Sequence, residues 1–312
     1  MVQTAIPGHR RYASGQQFHL QFSDQHATVV EVGGGIREYT DCGRAVLESY
    51  PADNLADGAH GAPLIPWPNR IEDGAYDFDG ITYQLPLTEP ARSNAIHGLL
   101  RWVPWQGHRV DDASVTMTTT LYPSPGYPFL LTVEIDYRLG EEGLTVTTTA
   151  TNDGTRACPY GTGQHPYLSA GTGSIDGAWL ELDAVTRIRT DPVRALPSGE
   201  EPVAGTPYDF RRRTALAGVV LDDPFTDLTR GTDGRAWARL TGSDGRQVQL
   251  WVDQHYTVVQ LYSGDSLSAA HSRTALAVEP MTCPPNAFRT KDGLIILQPG
   301  QKQTTKWGVR LR

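Results

Sequence analysis

The sequence predicts an all-β fold of many short antiparallel strands stacked into sandwiched sheets. Three observations carry that expectation. Apolar and polar residues alternate over several short segments, helical periodicity never holds for three turns, and 32 glycines and 22 prolines punctuate stretches rich in Thr and Val.

In chain order, FHLQF (18–22), ATVVEV (27–32) and VTMTTTL (115–121) read as half-buried strands. LTVEIDYRL (131–139) places Leu131, Val133, Ile135, Tyr137 and Leu139 on one face, and GEEG then leads into LTVTTTA (144–150), where Leu144 and Val146 alternate again. That pattern is a β-hairpin. In AWARLTGSDGRQVQLWV (236–252) the Asp-Gly pair supplies a second hairpin turn. TDPVRALPSGEEPVAGTPYDF (190–210) is rich in Pro and Gly and has no period, so it reads as one long loop, a kind of segment that commonly contributes to binding sites.

Composition narrows the function classes. The 312 residues suffice for a large core, and 1–312 is expected to form a single domain. With 27 Lys plus Arg against 35 Asp plus Glu, the net charge of −8 disfavours a nucleic-acid or anionic-membrane partner and favours a neutral or cationic ligand. MVQTAIPGHRRYASGQQFHL lacks an apolar run of signal-peptide length, and no stretch is long and apolar enough to span a bilayer, so the chain is expected to be soluble and cytoplasmic. Cys42, Cys158 and Cys283 are an odd number without CxxC spacing, so neither a disulfide framework nor a zinc knuckle is implied.

Five stretches concentrate chemistry-bearing residues. TEPARSNAIHGLLRWVPW (88–105) sets His97 among apolar residues, with Arg92 and Arg101 on either side. GTGQHPYL (161–168) holds His165 and VEPMTCPPNAF (278–288) holds Glu279. PWPNRIEDGAYDFDG (66–80) holds Arg70, and LDDPF (221–225) holds Asp222 and Asp223. His165 and Glu279 each precede a proline, which pushes the preceding residue into extended backbone and so restricts where its side chain is aimed.

Together these stretches resemble the aldose 1-epimerase family, also called galactose mutarotases, from about residue 27 to the C-terminus. The likeness is carried by NRIEDGAYDFDGITYQL, by Asn-x-x-His-Gly in NAIHG, by the histidine of GQHPYL, by Gln-x-Tyr-x-Gly in QLYSG and by Glu-Pro in VEPMTCPPNAF. The resemblance implies a β-supersandwich and an enzyme that interconverts the α and β anomers of a free hexose such as galactose or glucose, with no metal and no cofactor. It implies Glu279 as general base, His165 as general acid, and His97, Arg70, Asp222 and Gln260 as sugar-binding residues, with Asp223 as an alternative to Asp222. The partner it implies is a small-molecule sugar. The sequence departs from the family pattern at His97-Gly98-Leu99 in place of His-Gly-Gly, at Gln164 in place of Asn, and at Asp223-Pro224 in place of His-Asn.

The implied reaction makes sense of the pair. Opening a pyranose takes a proton from the anomeric hydroxyl while delivering one to the ring oxygen, and closure reverses both on the other face, so a base and an acid are expected on opposite sides of the sugar. A carboxylate and an imidazolium suit those tasks. Four other readings remain at this stage. A zinc site is disfavoured because His97, His165 and Glu279 lie on distant segments without HExxH or HxH spacing. A glycosidase would use Asp222 and Glu279 as its carboxylates. A hexose-6-phosphate epimerase would use Arg92 and Arg101. A non-catalytic sugar-binding module would stack a pyranose on Trp67, Trp102 or Trp105. Cys283 is expected to be a buried, inert thiol.

Overall fold

The structure, a computed structural model, describes residues 12–312; the first eleven residues of the N-terminal stretch read above lie outside them. The predicted hairpin forms between Leu131–Gly140 and Gly143–Asn152, in register from Leu131↔Asn152 to Gly140↔Gly143. Leu131, Val133, Ile135, Tyr137 and Leu139 are all buried while the residues between them face outward, as period-two alternation requires. Ser114–Leu121 and Lys302–Leu311 flank the hairpin, and the sheet grows to nine strands that include the second hairpin, Ala236–Thr241 with Gln247–Val252.

A second sheet of twelve strands runs from Gln17–Phe22 through Leu276–Met281 and Val258–Tyr262 to the edge strand Pro197–Pro202. Every strand ladder described is antiparallel, and the two sheets with three two-stranded ribbons make the stacked all-β architecture expected from the sequence. Leu276–Met281 is buried at all six positions. It lies between Val258–Tyr262 on one side and Tyr167–Leu168 on the other.

The segment 190–210 departs from the expected loop. Pro197–Pro202 pairs with Ala184–Thr190 at the sheet edge, where prolines are tolerated because no outer neighbour needs their missing N–H. Its mostly exposed residues show no alternation, which hides it from a periodicity reading. Ahead of it, the Asp191 carboxylate accepts from the N–H groups of Val193, Arg194 and Leu196, and Arg194 reaches across to the carbonyls of Arg92 and Ser93. The segment thereby braces the stretch that carries His97.

One buried side chain ties the sheets together. The Gln164 Nε2 donates to Gly61 O (3.1 Å) and to the Tyr137 hydroxyl (3.0 Å), and its Oε1 accepts from Trp307 Nε1 (3.3 Å). Tyr137 and Trp307 belong to the nine-stranded sheet and Gln164 to the twelve-stranded one. The amide thus fills a space between layers with all its partners matched. Gln164→Leu leaves Trp307 Nε1 without an acceptor and is expected to lower stability by about 1–3 kcal/mol. The check is urea unfolding; an unchanged midpoint at unchanged slope would show that the clamp contributes nothing.

Candidate active site

Strand register places the carboxylates. Glu279 sits opposite Gln260, Gln260 opposite Pro224, and Tyr262 opposite Asp222. Opposite residues share a face and neighbours along a strand alternate, so Glu279, Gln260 and Asp222 project on one side and Asp223 on the other. Asp223 is buried against Arg187, 2.7 Å from its Nη2, and burial pushes its carboxyl up despite that partner.

Two loops bring the histidines to this face. The His165 N–H donates to Ala62 O (3.1 Å) and its carbonyl accepts from Gly61 (2.9 Å), which fixes the backbone just ahead of Pro166. His97 and Gly98 both have left-handed backbone, with φ of 62° and 73°. A Cβ on Gly98 would come to 2.0 Å from Ile65 O, so that position demands glycine. A left-handed histidine is held only where surrounding contacts over-determine it, and here His97 N–H donates to Asn69 O (2.9 Å) while the Asn69 N–H donates to His97 Nδ1 (3.2 Å).

The side chains meet in a cavity of about 540 Å³, lined by His97, His165, Glu279, Arg70, Asp222 and Trp102 among others. His165 Nε2 lies 3.1 Å from Glu279 Oε1, and the His97 ring stands edge-on to His165 with centroids 5.4 Å apart. The expected acid and base are therefore in direct contact rather than apart. Burial pushes the Glu279 carboxyl well up, with Asp222 adding to the effect and Arg70 and Arg101 opposing it. Burial likewise pulls His165 well down, aided by the charges of His60 and Arg101. Both directions follow from one cause: burial disfavours charge and favours the neutral form of each group, a carboxyl and an imidazole that share one proton across the 3.1 Å contact. Burial and Arg101 also hold His97 well below the usual histidine range. With its Nδ1 accepting from Asn69, the neutral ring carries its proton on Nε2.

The rim is charged. Arg70 makes a two-pronged contact with Glu89 (2.9 and 3.1 Å) and lies 3.6 Å from Asp222, and Arg92 lies 3.7 Å from the same carboxylate. Burial works against the Arg70 charge, but Asp222 and Glu89 more than offset it. Gln260 does not line the cavity; its Nε2 donates to Asp222 (2.8 Å) and so holds that carboxylate from behind. Arg101, among the described residues, has neither an ion pair nor a hydrogen bond; it stacks 5.1 Å over the Trp102 ring, and burial pulls its guanidinium down to about 10. Trp102 is 50% exposed, whereas Trp67 and Trp105 are core.

Of the seven buried side-chain atoms without a hydrogen-bond partner among the described residues, three belong to this cluster: His165 Nδ1, Glu279 Oε2 and Gln260 Oε1. Buried polar atoms are normally satisfied, so a concentration of orphans around a cavity points to a polar ligand. The donor atoms of His97, His165 and Glu279 all lie within 4.8 Å of one another, a set that a divalent metal accepts. The fold thus gathers residues whose sequence separation had argued against a metal site. Burial pushes the Cys283 thiol up to about 12, which leaves it inert. Sequence reasoning did not single out Glu89, which anchors Arg70, or Tyr167, which stacks on His165 with centroids 4.9 Å apart; TEPAR and GQHPYL contained them without marking them.

The two adjacent aspartates are separable by stability. Asp223→Ala strips Arg187 of a buried partner and is expected to cost about 1–3 kcal/mol, whereas Asp222→Ala is expected to cost less, because Asp222 is the more exposed and Arg70 keeps its two-pronged contact with Glu89. Equal thermal shifts for the two variants would contradict the placement of Asp223 in the core.

The comparisons with known proteins agree with this geometry. A family model described as Aldose 1-epimerase matches residues 16–310. The uncharacterized protein YihR of Escherichia coli (strain K12) is 38% identical over 294 residues, covering 93% of this chain and 91% of that protein. An aldose 1-epimerase of the same organism is 27% identical over 230 residues, 68% of this chain and 65% of that one. The crystal structure of a GalM/aldose epimerase homologue from C. elegans superposes with a TM-score of 0.85 at 19% identity, covering 95% of this chain and 98% of the other, a likeness of fold. A family match over nearly the whole chain, on the strands and loops that gather His97, His165 and Glu279, establishes that this protein belongs to the aldose 1-epimerase family.

Proposed function

We propose that the protein is an aldose 1-epimerase that opens and recloses an aldohexose such as galactose or glucose by acid–base catalysis, with Glu279 as base and His165 as acid. The observation that supports this most is the 3.1 Å contact between a buried carboxyl and a buried imidazole at the floor of a polar cavity, each with an unsatisfied atom. The anomeric hydroxyl and the ring oxygen are bonded to the same carbon, so adjacent catalytic groups reach both. With the shared proton on His165, the Glu279 carboxylate takes the anomeric proton while His165 protonates the ring oxygen; rotation about C1–C2 and the reverse transfers give the other anomer. A sugar hydroxyl supplies Glu279 Oε2 with a donor it otherwise lacks among the described residues and so favours that placement of the proton. His97 Nε2–H, Arg70 and Asp222 hold hydroxyls, and Gln260 holds Asp222. Residues 1–312 then act as one domain on a small-molecule sugar in the cytoplasm, a compartment that suits three free thiols.

Polarimetry of freshly dissolved α-glucose and α-galactose tests the reading, with acceleration expected to survive chelator treatment. Glu279→Gln keeps the shape of the side chain but not its basicity, and kcat should fall ~10²–10⁴-fold with little change in KM. The pH profile should be bell-shaped. On the acid side the pair gains a second proton and the base is lost; on the alkaline side it loses its one proton and the acid is lost. A Glu279→Gln enzyme with wild-type kcat would remove this residue from the chemistry.

Arg101 favours a second reading, in which the aldose carries an anionic group such as a 6-phosphate. The guanidinium offers its donors to the cavity without a carboxylate partner, beside the exposed Trp102. One arginine thus stands without an ion pair among the described residues in a cavity whose other two, Arg70 and Arg92, face Glu89 and Asp222. If this reading holds, hexose 6-phosphate is turned over with the lower KM, and Arg101→Met raises that KM about tenfold or more while leaving the KM for the neutral sugar within about twofold. Equal effects on both substrates would leave the neutral aldose as the substrate.

A further inference from the structure

Behind His165, away from the cavity, three rings form a column. His60 stacks on Tyr167 with centroids 3.8 Å apart and planes 10° from parallel, and Tyr167 stacks on His165 at 4.9 Å and 21°. The Tyr167 hydroxyl donates to Gly58 O (2.8 Å), so the middle ring cannot turn out of the stack without breaking a hydrogen bond.

The protonation of His60 follows from its neighbours. Its Nδ1 lies 2.6 Å from Asp57 O and its Nε2 lies 2.7 Å from Glu48 Oε2. A backbone carbonyl only accepts. The other Glu48 oxygen accepts from the Thr274 hydroxyl, so the carboxylate is placed as an acceptor on the side of Thr274 and on the side of His60. Both ring nitrogens must then donate, which only an imidazolium does. The other groups facing His60 are the Tyr50 ring (6.4 Å) and the His271 ring (5.9 Å), both edge-on, and a second cavity of about 220 Å³, bordered by Tyr50, Asn54, Ser268 and His271, reaches it from outside.

We propose that His60 is a positioning residue for His165: a buried imidazolium, pinned by Glu48 and the Asp57 carbonyl, that holds the plane of the acid through Tyr167 and places a fixed positive charge behind it. This rests on the reading of His165 as the acid. The stack sets the angle at which His165 Nε2 meets Glu279. The charge makes a protonated His165 give up its proton more readily, which suits delivery to a weakly basic ring oxygen, and it acts in the same direction as the depression of His165 already described.

Two variants separate the two effects. His60→Phe keeps a ring on Tyr167 but removes the charge, and His60→Gln removes both while still donating to Glu48. In each, the alkaline limb of kcat should move up by as much as about one pH unit, the effect of losing a unit charge roughly 9 Å away while Thr274 keeps Glu48 ionised. His60→Gln should in addition lose about tenfold in kcat, with KM within about twofold, through the lost stack. A merely structural residue would lower kcat or stability and leave the limb in place, and that result overturns the proposal. Nitrogen NMR of the histidine rings in the wild-type protein gives a measurement independent of variant folding: His60 should carry hydrogen on both nitrogens at a pH where His165 is neutral, and a His60 ring with a single N–H overturns the proposal. Should no aldose be turned over, the same NMR titration of His165 in the wild type and in His60→Phe still decides it, so that the column can stand while the epimerase reading falls.

Discussion

Burying a carboxyl group is the constraint around which this protein is built. Glu279 lies on a strand with no exposed residue, and removing a carboxylate from water is among the most costly substitutions a core can make. The fold meets that cost in two ways. It lets the group hold its proton in contact with His165, and it surrounds the pair with the partial compensation of Arg70 and Arg101. The residue that makes the site chemically useful is thus also the one that dictates what stands next to it. The preference of the pair and of His97 for their neutral forms follows from that burial, and the turn at His97-Gly98, held by Asn69 and Ile65, brings His97 to the pair.

Much of this was legible in the sequence because β-sheets write their faces with a period of two. The hairpin 131–150 showed its strands and its inward residues, and the Asp-Gly hairpin its strands and its turn. Pro197–Pro202 was invisible because an exposed edge has no buried face to mark it. The site residues were named from the family resemblance, and the structure brings them to one region, with Gln260 beside Glu279 on the same sheet face and bonded to Asp222 rather than lining the cavity. The choice between Asp222 and Asp223 needed the strand register, since adjacent residues of a strand face opposite ways. His60 left no signal: its importance lies in two acceptors and a stacked ring brought from other segments.

Net charge does not describe how charge is arranged around the cavity. The surplus of acids over the whole chain coexists with three arginines around one opening, two of them matched by Glu89 and Asp222 and one unmatched. Fields in a cleft are set by what lines it and by how little water screens it, and a sum over the chain averages that away.

The clamp at Gln164 has a consequence for how such a site changes over time. Its amide is bonded to both sheets and its next neighbour along the chain is His165, so the floor of the cavity cannot be altered without disturbing the contact between layers. The opposite wall hangs on different supports: Arg92 closes a single 3-10 turn, and Arg101 and Trp102 sit in the turn that follows His97. Replacements there leave the sheet contacts intact. Under the proposed reaction, the part of the protein that is costly to vary is the part that does the chemistry, and the part that is cheap to vary greets the substrate, so new sugar preferences would be accessible to this scaffold without re-inventing the reaction.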